Sequence, residues 1–167
     1  MLVAAWGLSS CAPPGTSVGG DPDNADGWLV PKQINVRASL EGADLLDPGM
    51  DQPDWSGTVL VNFWQSNCAP CEEEMPILQD AHRAGSLDVV GVSLGPSVSR
   101  AKRFVTTAGV GYPNLLDSDA QLKSAFTKSM PIVGVPTSFV VVDGTVRAVH
   151  VGPFESKTAV LSYTNVI

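Results

Sequence analysis

The chain has 167 residues with 10 Lys and Arg against 17 Asp and Glu, which gives a net charge of −7 and an isoelectric point of about 4.6. This acidic balance, without a cluster of basic residues, argues against nucleic acid as a partner. No run of 18 apolar residues occurs, which argues against a membrane-spanning helix within this sequence. The length suits one α/β domain with its own core, and 3 cysteines are too few for a disulfide scaffold.

The first 28 residues read as a leader followed by a linker. Residues 1–11 begin apolar and end in Leu8-Ser9-Ser10-Cys11, which resembles a bacterial lipoprotein signal whose cysteine becomes lipidated. No basic residue precedes Lys32, although secretory signals begin with a basic region, so an N-terminus that happens to contain a cysteine is the alternative. Residues 12–28 are rich in Pro, Gly, Ser and Asp and predict a flexible tether. The folded domain is expected over residues 29–167, lipid-anchored through Cys11 outside the cytoplasm or periplasmic.

The next elements are predicted from their apolar patterns. Apolar residues alternate with polar ones over residues 34–40, which predicts a half-buried strand. A loop with two prolines and two glycines follows, over residues 47–57. The apolar run over residues 58–64 predicts a central strand covered on both faces. A helix over residues 68–84, stopped by Gly85, then leads into a second buried strand, residues 87–94.

The second half continues the alternation of helices and strands. Ser97 is a predicted cap for a helix with an apolar stripe that ends at Gly109. Asp117 or Ser118 is expected to cap a short helix. Two strands joined by a tight Asp143-Gly144 turn and a closing helix complete the order, over residues 138–142, 145–151 and 155–163. The fold class is therefore α/β.

Two cysteines, Cys68 and Cys71, stand three residues apart where the central strand gives way to a helix. The thiolate is the nucleophile in thiol chemistry, and the positive end of a helix favours that anion. Cys68, nearest the helix start, is the predicted nucleophile, and Cys71, about one turn on, is expected to be more buried and to resolve mixed disulfides. Half of a zinc site, with only His82 and His150 as further ligands, and an inert buried pair are the alternatives.

Four short motifs together resemble the thioredoxin-like lipoproteins and periplasmic proteins of the TlpA/ResA type. They are Val61-Asn62-Phe63-Trp64, Cys68-Ala69-Pro70-Cys71, Glu74-Met75-Pro76 and Gly134-Val135-Pro136-Thr137. The resemblance implies a thioredoxin fold, with a central mixed β-sheet flanked by helices and an N-terminal β extension. It also implies a thiol–disulfide oxidoreductase, commonly a reductant in cytochrome c maturation. The implied partners are protein disulfides, apocytochrome c among them, and a membrane electron donor, with no cofactor beyond the redox-active Cys68–Cys71 disulfide.

The resemblance also assigns roles to residues around the cysteines. Glu74 would assist Cys71 by proton transfer, whereas the alternative is a solvated carboxylate at the start of a helix, as expected for Glu72 and Glu73. Pro136 would be cis and face the two sulfurs, which leaves the backbone of Val135 free to bind substrate. Ala69 and Pro70, between the cysteines, would contact substrate as well.

Three features depart from the family pattern and leave the substrate and the direction of electron flow open, and one of them is the run of three glutamates, Glu72 to Glu74, where relatives commonly have a basic residue. Asn67 stands where relatives usually have tryptophan before the first cysteine, and Asn62 stands where thioredoxin carries a buried aspartate.

Three other functions remain as alternatives. A thiol peroxidase would want Pro and Thr or Ser where Val61 and Gln65 stand. A copper-binding module would use both cysteines and a histidine such as His150. A non-catalytic scaffold of the same fold is the third alternative.

Overall fold

A computed structural model of the protein describes residues 27–167. The expected signal segment with Cys11, and the tether up to residue 26, lie outside these residues. Trp28, the last residue of the expected tether, lies in the first strand, and its side chain is buried. Within the described part of the chain, no helix has the length and apolar character needed to cross a membrane.

Six strands form one mixed sheet in the order β1-β6-β5-β2-β3-β4. The parallel pairs are β2 with β3 and β3 with β4, whereas β5 pairs antiparallel with β2 and β6, and β1 pairs antiparallel with β6. The strands span Trp28–Leu29 (β1), Thr58–Trp64 (β2), Asp88–Ser93 (β3), Asn114–Leu116 (β4), Thr137–Val142 (β5) and Thr145–Val151 (β6). The expected central mixed sheet is confirmed.

Helices cover both faces of the sheet. They span Arg37–Glu41 (α1), Ala69–Arg83 (α2), Val98–Thr107 (α3), Gln121–Thr127 (α4) and Lys157–Leu161 (α5), and a 3₁₀ helix, Ser162–Asn165, follows α5. One face of β2 packs with Phe126 and Phe139, and the other face packs with Leu78 of α2 and Val140 of β5. Strand β2 is thus buried on both sides, as its continuous apolar run predicts.

The strand predicted over residues 34–40 is wrong. Helix α1 covers Arg37–Glu41, and before it only Asn35 makes an isolated bridge to Thr145. The physical reason is that Val36 and Leu40, the buried residues of this stretch, stand four apart, which is the spacing of one helix face. Ala38 between them faces solvent. The N-terminal addition to the sheet is the two-residue β1 instead.

Most local signals later in the chain are confirmed. The side chain of Ser97 caps α3 by accepting the N–H of Arg100 at 3.4 Å. Asp117 accepts the N–H groups of Leu122 and Lys123, both at 2.8 Å, and so holds the start of α4. The short strand β4 was not expected, and α5 with its 3₁₀ extension is displaced from the predicted residues 155–163.

The hairpin between β5 and β6 turns where the sequence predicts it. Asp143 and Gly144 have φ angles of 48° and 79°, the left-handed conformation that a two-residue turn between antiparallel strands requires. The turn sets the register of β5 against β6, and the pairing of β5 with β2 places Thr137 beside Phe63 at the end of β2.

Candidate active site

A disulfide joins Cys68 and Cys71 at the start of α2, with an S–S distance of 2.05 Å and a Cα–Cα distance of 5.3 Å. Cys68 is the N-cap residue of the helix and has an extended backbone. Pro70 lies in the first turn, where a missing N–H leaves no intrahelical hydrogen bond unmade. Strand β2 ends at Trp64, four residues before Cys68, so the disulfide lies just beyond the C-terminal end of this strand.

The two sulfurs differ in exposure and in contacts. Cys71 is fully buried, whereas Cys68 is half-buried, and Ala69 and Pro70 between them are exposed. The backbone N–H of Cys71 points to Cys68 Sγ at 3.2 Å. A donor at this position stabilises negative charge on that sulfur once the disulfide is reduced. The expected asymmetry, a reachable Cys68 and a buried Cys71, is present.

The loop before β5 faces the disulfide. The Val135–Pro136 peptide bond is cis, as the resemblance implies. The carbonyl oxygen of Val135 lies 3.6 Å from Cys68 Sγ, and Thr137 Oγ1 donates to the carbonyl of Gly134 at 2.8 Å. The N–H of Gly152, just after β6, donates to the carbonyl of Pro136 at 3.0 Å and ties this loop to the next one.

Glu74, the residue expected to assist Cys71, has a buried carboxylate, with only 1% of the residue exposed. Its Oε1 accepts from Asn62 Nδ2 at 2.7 Å, and its Oε2 accepts from the N–H of Phe154 at 3.1 Å. Burial raises the pKa of Glu74 to about 7, although the two hydrogen bonds counteract part of the rise. Glu72 and Glu73 are exposed, as expected. The alternative of a solvated carboxylate at position 74 is therefore wrong.

Asn62 connects this carboxylate to the sheet. Its Nδ2 also donates to Ser138 Oγ of β5 at 2.9 Å. Its Oδ1 and the hydroxyl of Tyr112 are buried and have no hydrogen-bond partner among the described residues. Burial and the nearby charge of Glu74 raise the pKa of Tyr112. The buried carboxylate, Glu74, thus belongs to helix α2, and the side-chain amide that binds it, Asn62, belongs to strand β2.

Sequence reasoning missed three members of this network, which are Ser138, Phe154 and Tyr112. Ser138 directly follows the recognised motif, but β5 is buried on both faces, so its apolar pattern does not single this residue out. Phe154 binds through its backbone N–H, for which side-chain identity gives no signal. Tyr112 lies in a loop without a pattern, and only the fold brings it under α2.

Neither histidine is hydrogen-bonded to a cysteine within residues 27–167. The ring of His150 stacks on Phe154 at 4.2 Å, and burial lowers the pKa of this histidine. His82 Nδ1 accepts the N–H of Val89 at 3.3 Å. Over residues 27–167 the structure brings together no group of three or more His, Cys, Asp or Glu side chains that could hold a metal ion. The structure therefore lends no support to the zinc and copper alternatives.

Comparison with known proteins gives consistent matches. Residues 49–149 match the model of the AhpC/TSA family. The chain is 29% identical over 131 residues to sporulation thiol-disulfide oxidoreductase A of Bacillus subtilis, covering 74% of each chain. It is 29% identical over 113 residues to the thiol-disulfide oxidoreductase ResA of the same species, covering 65% of this chain and 60% of that relative.

A solved structure supports the fold. The secreted thiol-disulfide isomerase from Corynebacterium glutamicum superposes with a TM-score of 0.64 at 24% identity, covering 86% of this chain and 92% of the other. The expected thioredoxin fold is confirmed. The expectation of a thiol–disulfide oxidoreductase is confirmed as well, since the curated relatives carry that name and Cys68 and Cys71 form a disulfide. The matched residues cover more than half of the sequence, so the chain belongs to the AhpC/TSA family.

Proposed function

We propose that this protein reduces disulfides in client proteins outside the cytoplasm through the Cys68–Cys71 dithiol. The observation that carries the proposal is the disulfide at the start of α2, with one half-buried sulfur, one fully buried sulfur and a buried carboxylate on the same helix. The electrons reside on the two sulfurs alone in this proposal, without a bound cofactor.

In the first step, the Cys68 thiolate attacks a client disulfide. A bond forms between Cys68 Sγ and one client sulfur, the client S–S bond breaks, and the departing client thiolate takes a proton from solvent. The N–H of Cys71 stabilises the attacking anion. The exposed backbone between the cysteines and the half-buried Val135 leave room for the client beside the sulfur.

In the second step, the Cys71 thiol loses its proton to Glu74 and attacks Cys68 Sγ. The bond between Cys68 and the client breaks, the second client sulfur leaves as a thiolate that takes a proton from solvent, and the intramolecular disulfide forms, so that two electrons have passed to the client. A buried thiol resists ionisation, which is why a nearby proton acceptor is needed. With its pKa raised to about 7, Glu74 is matched to that task near neutral pH.

The surroundings of Cys68 favour a reductant. Strong oxidants of this chemistry have an unusually stable thiolate in the reduced form. Here the structure gives Cys68 Sγ one backbone N–H, and the next turns of the helix carry three glutamates. Negative charge near the sulfur destabilises the thiolate and lowers the reduction potential. We expect a potential nearer the roughly −270 mV of thioredoxin than the roughly −120 mV of a strong oxidant.

Location, anchoring and partners are part of the proposal. The motif resemblance supports a site outside the cytoplasm, with Cys11 lipidated, a membrane dithiol as electron donor and apocytochrome c among the clients. Expression of the full precursor should give a membrane-bound protein with an acylated N-terminus, and Cys11→Ala should release it. An unmodified N-terminus in the soluble fraction would contradict the anchor without touching the redox chemistry.

The redox proposal is tested by single-turnover kinetics with an oxidised Cys-x-x-Cys-His peptide, the c-type haem attachment motif. Wild-type reduced protein should reduce it, and Cys68→Ser should abolish the reaction. Glu74→Gln should slow resolution by Cys71 more than attack by Cys68, whereas Glu73→Gln should change neither. Consumption of hydrogen peroxide at a faster rate than the peptide would favour the thiol peroxidase that the family name allows.

A further inference from the structure

We propose that client segments carry acidic side chains next to the reactive cysteine, and that Arg100 and Lys123 bind them in the groove beside Cys68. This inference rests on the proposed function, because it names the substrate class of the same site. In this proposal, Arg100 and Lys123 select the client, although neither residue takes part in the thiol–disulfide exchange itself.

The groove consists of two adjoining recesses that share Gln65 and Leu94. The first, of about 420 Å³, is lined by Asn67, the neighbour of Cys68, and by Arg100 in the first turn of α3. The second, of about 190 Å³, lies against Val135 and is bordered by Lys123 of α4. An extended segment whose cysteine reaches Cys68 would therefore run between these two side chains.

Both recesses have the same sign of charge. Arg100 is the charged residue of the first and Lys123 that of the second, and no acidic residue lines either. Over residues 27–167, neither cation takes part in a salt bridge. Two acids precede Lys123 in the chain: Asp117 is 3% exposed and directs its carboxylate to backbone N–H groups at the start of α4, and the exposed Asp119 accepts the N–H of Gln121 at 3.3 Å.

The charges at the start of the helix that begins at the disulfide have the other sign. Glu72 and Glu73 are exposed on α2, directly after the cysteines. An acidic client is repelled by these glutamates and attracted by the two cations of the groove. The net charge of −7 works against any acidic client at long range. Screening within about 8–10 Å at physiological salt nevertheless leaves the groove charges dominant at contact.

Apolar surface lies in the same groove. Val133, next to Lys123 in the second recess, is 85% exposed, and Ile132 and Val135 adjoin it. Apolar side chains in a client would cover this surface while a carboxylate reaches the cation at the rim. Rim charges of this kind govern association rate and choice of partner more than the total affinity.

The test uses three ten-residue peptides, each with one cysteine in a mixed disulfide with neutral 2-mercaptoethanol. They differ only at the two positions on either side of the cysteine, which are Glu, Gln or Lys. The reduced protein should react with the Glu peptide about tenfold faster than with the Lys peptide at physiological ionic strength, where the net charge of −7 is screened at long range, because exposed ion pairs each contribute a few-fold. Added salt should shrink this ratio.

Variants separate the groove from the total charge. The double substitution Arg100→Glu and Lys123→Glu should invert the preference. The control, Lys102→Glu with Lys128→Glu, changes the net charge equally on the same two helical regions at exposed positions outside the groove, and should retain the preference. Equal rates for the Glu and Lys peptides, or the same effect from both double variants, would overturn the inference. Failure to reduce even the Gln peptide would overturn the proposed function instead.

Discussion

Replacing Glu74 with Gln should change how the stability of the protein depends on pH. The pKa of Glu74 is raised from 4.5 to about 7 in the folded state, mainly because the carboxylate is buried. A folded state that binds the proton more tightly than the unfolded state loses stability as the pH rises between these two values. Since one pKa unit corresponds to about 1.4 kcal/mol, the loss between pH 4.5 and pH 7 is about 3 kcal/mol.

The isosteric amide removes this titration and has hydrogen-bond partners available. Its oxygen can still accept the N–H of Phe154, and its amide can donate to Asn62 Oδ1, which lacks a partner in the described structure, if the Asn62 amide turns over. The free energy of unfolding of the Gln variant, measured relative to wild type, should therefore rise by about 3 kcal/mol between pH 4.5 and pH 8.

Urea unfolding followed by far-ultraviolet circular dichroism measures this difference. The oxidised protein is used, so that neither cysteine titrates. Glu73→Gln is the matched control, because its side chain is exposed one residue away and should leave the pH dependence unchanged. A difference between wild type and Glu74→Gln that stays constant within about 0.5 kcal/mol from pH 4.5 to pH 8 would refute a carboxyl of strongly raised pKa.

Three further predictions concern the cysteines. In the reduced protein, brief iodoacetamide treatment should label Cys68 much faster than Cys71, since Cys71 is fully buried. Equal labelling of the two cysteines in the mass spectrum would contradict the assignment of Cys68 as the nucleophile. Cys71→Ser should accumulate mixed disulfides with clients through Cys68, seen as gel shifts that a reductant reverses, and an absence of adducts in envelope extracts would argue for a scaffold. Changing Glu72 and Glu73 to Lys should raise the reduction potential by about 15–30 mV, because added positive charge stabilises the thiolate. High salt should shrink that shift, and an unchanged potential at low salt would remove the electrostatic argument.

The sequence predicts three features correctly because each depends on residues that are close together in the chain. These are the central strand β2, the turn between β5 and β6, and the cysteine pair at the start of α2. Residues 58–64 form a strand covered on both faces, and Asp143-Gly144 forms the predicted turn. The N-terminal stretch failed because its apolar residues fit two periods at once. Val36 and Leu40 belong to the alternating series but also stand one helical turn apart, and only the packing of α1 decides between them.

The candidate site was only partly readable for a different reason. Sequence spacing places Glu74 on the helix side that carries Cys71, yet burial decides its pKa, and burial depends on residues far along the chain. Asn62 and Phe154, which hold the carboxylate, stand 12 and 80 residues away from it. The three-residue strand β4 is too short for any periodic pattern to indicate it.

In the exchange cycle that we propose, the short segment from Gly152 to Phe154 contacts the groups that serve both steps. Its first residue supports the carbonyl of Pro136 in the loop that faces the client, and its last residue supports the carboxylate of Glu74. Docking and proton transfer therefore share one piece of backbone. Substitutions at these two ends should show non-additive effects in a double-mutant cycle, because loosening the segment at one end alters the support that it gives at the other.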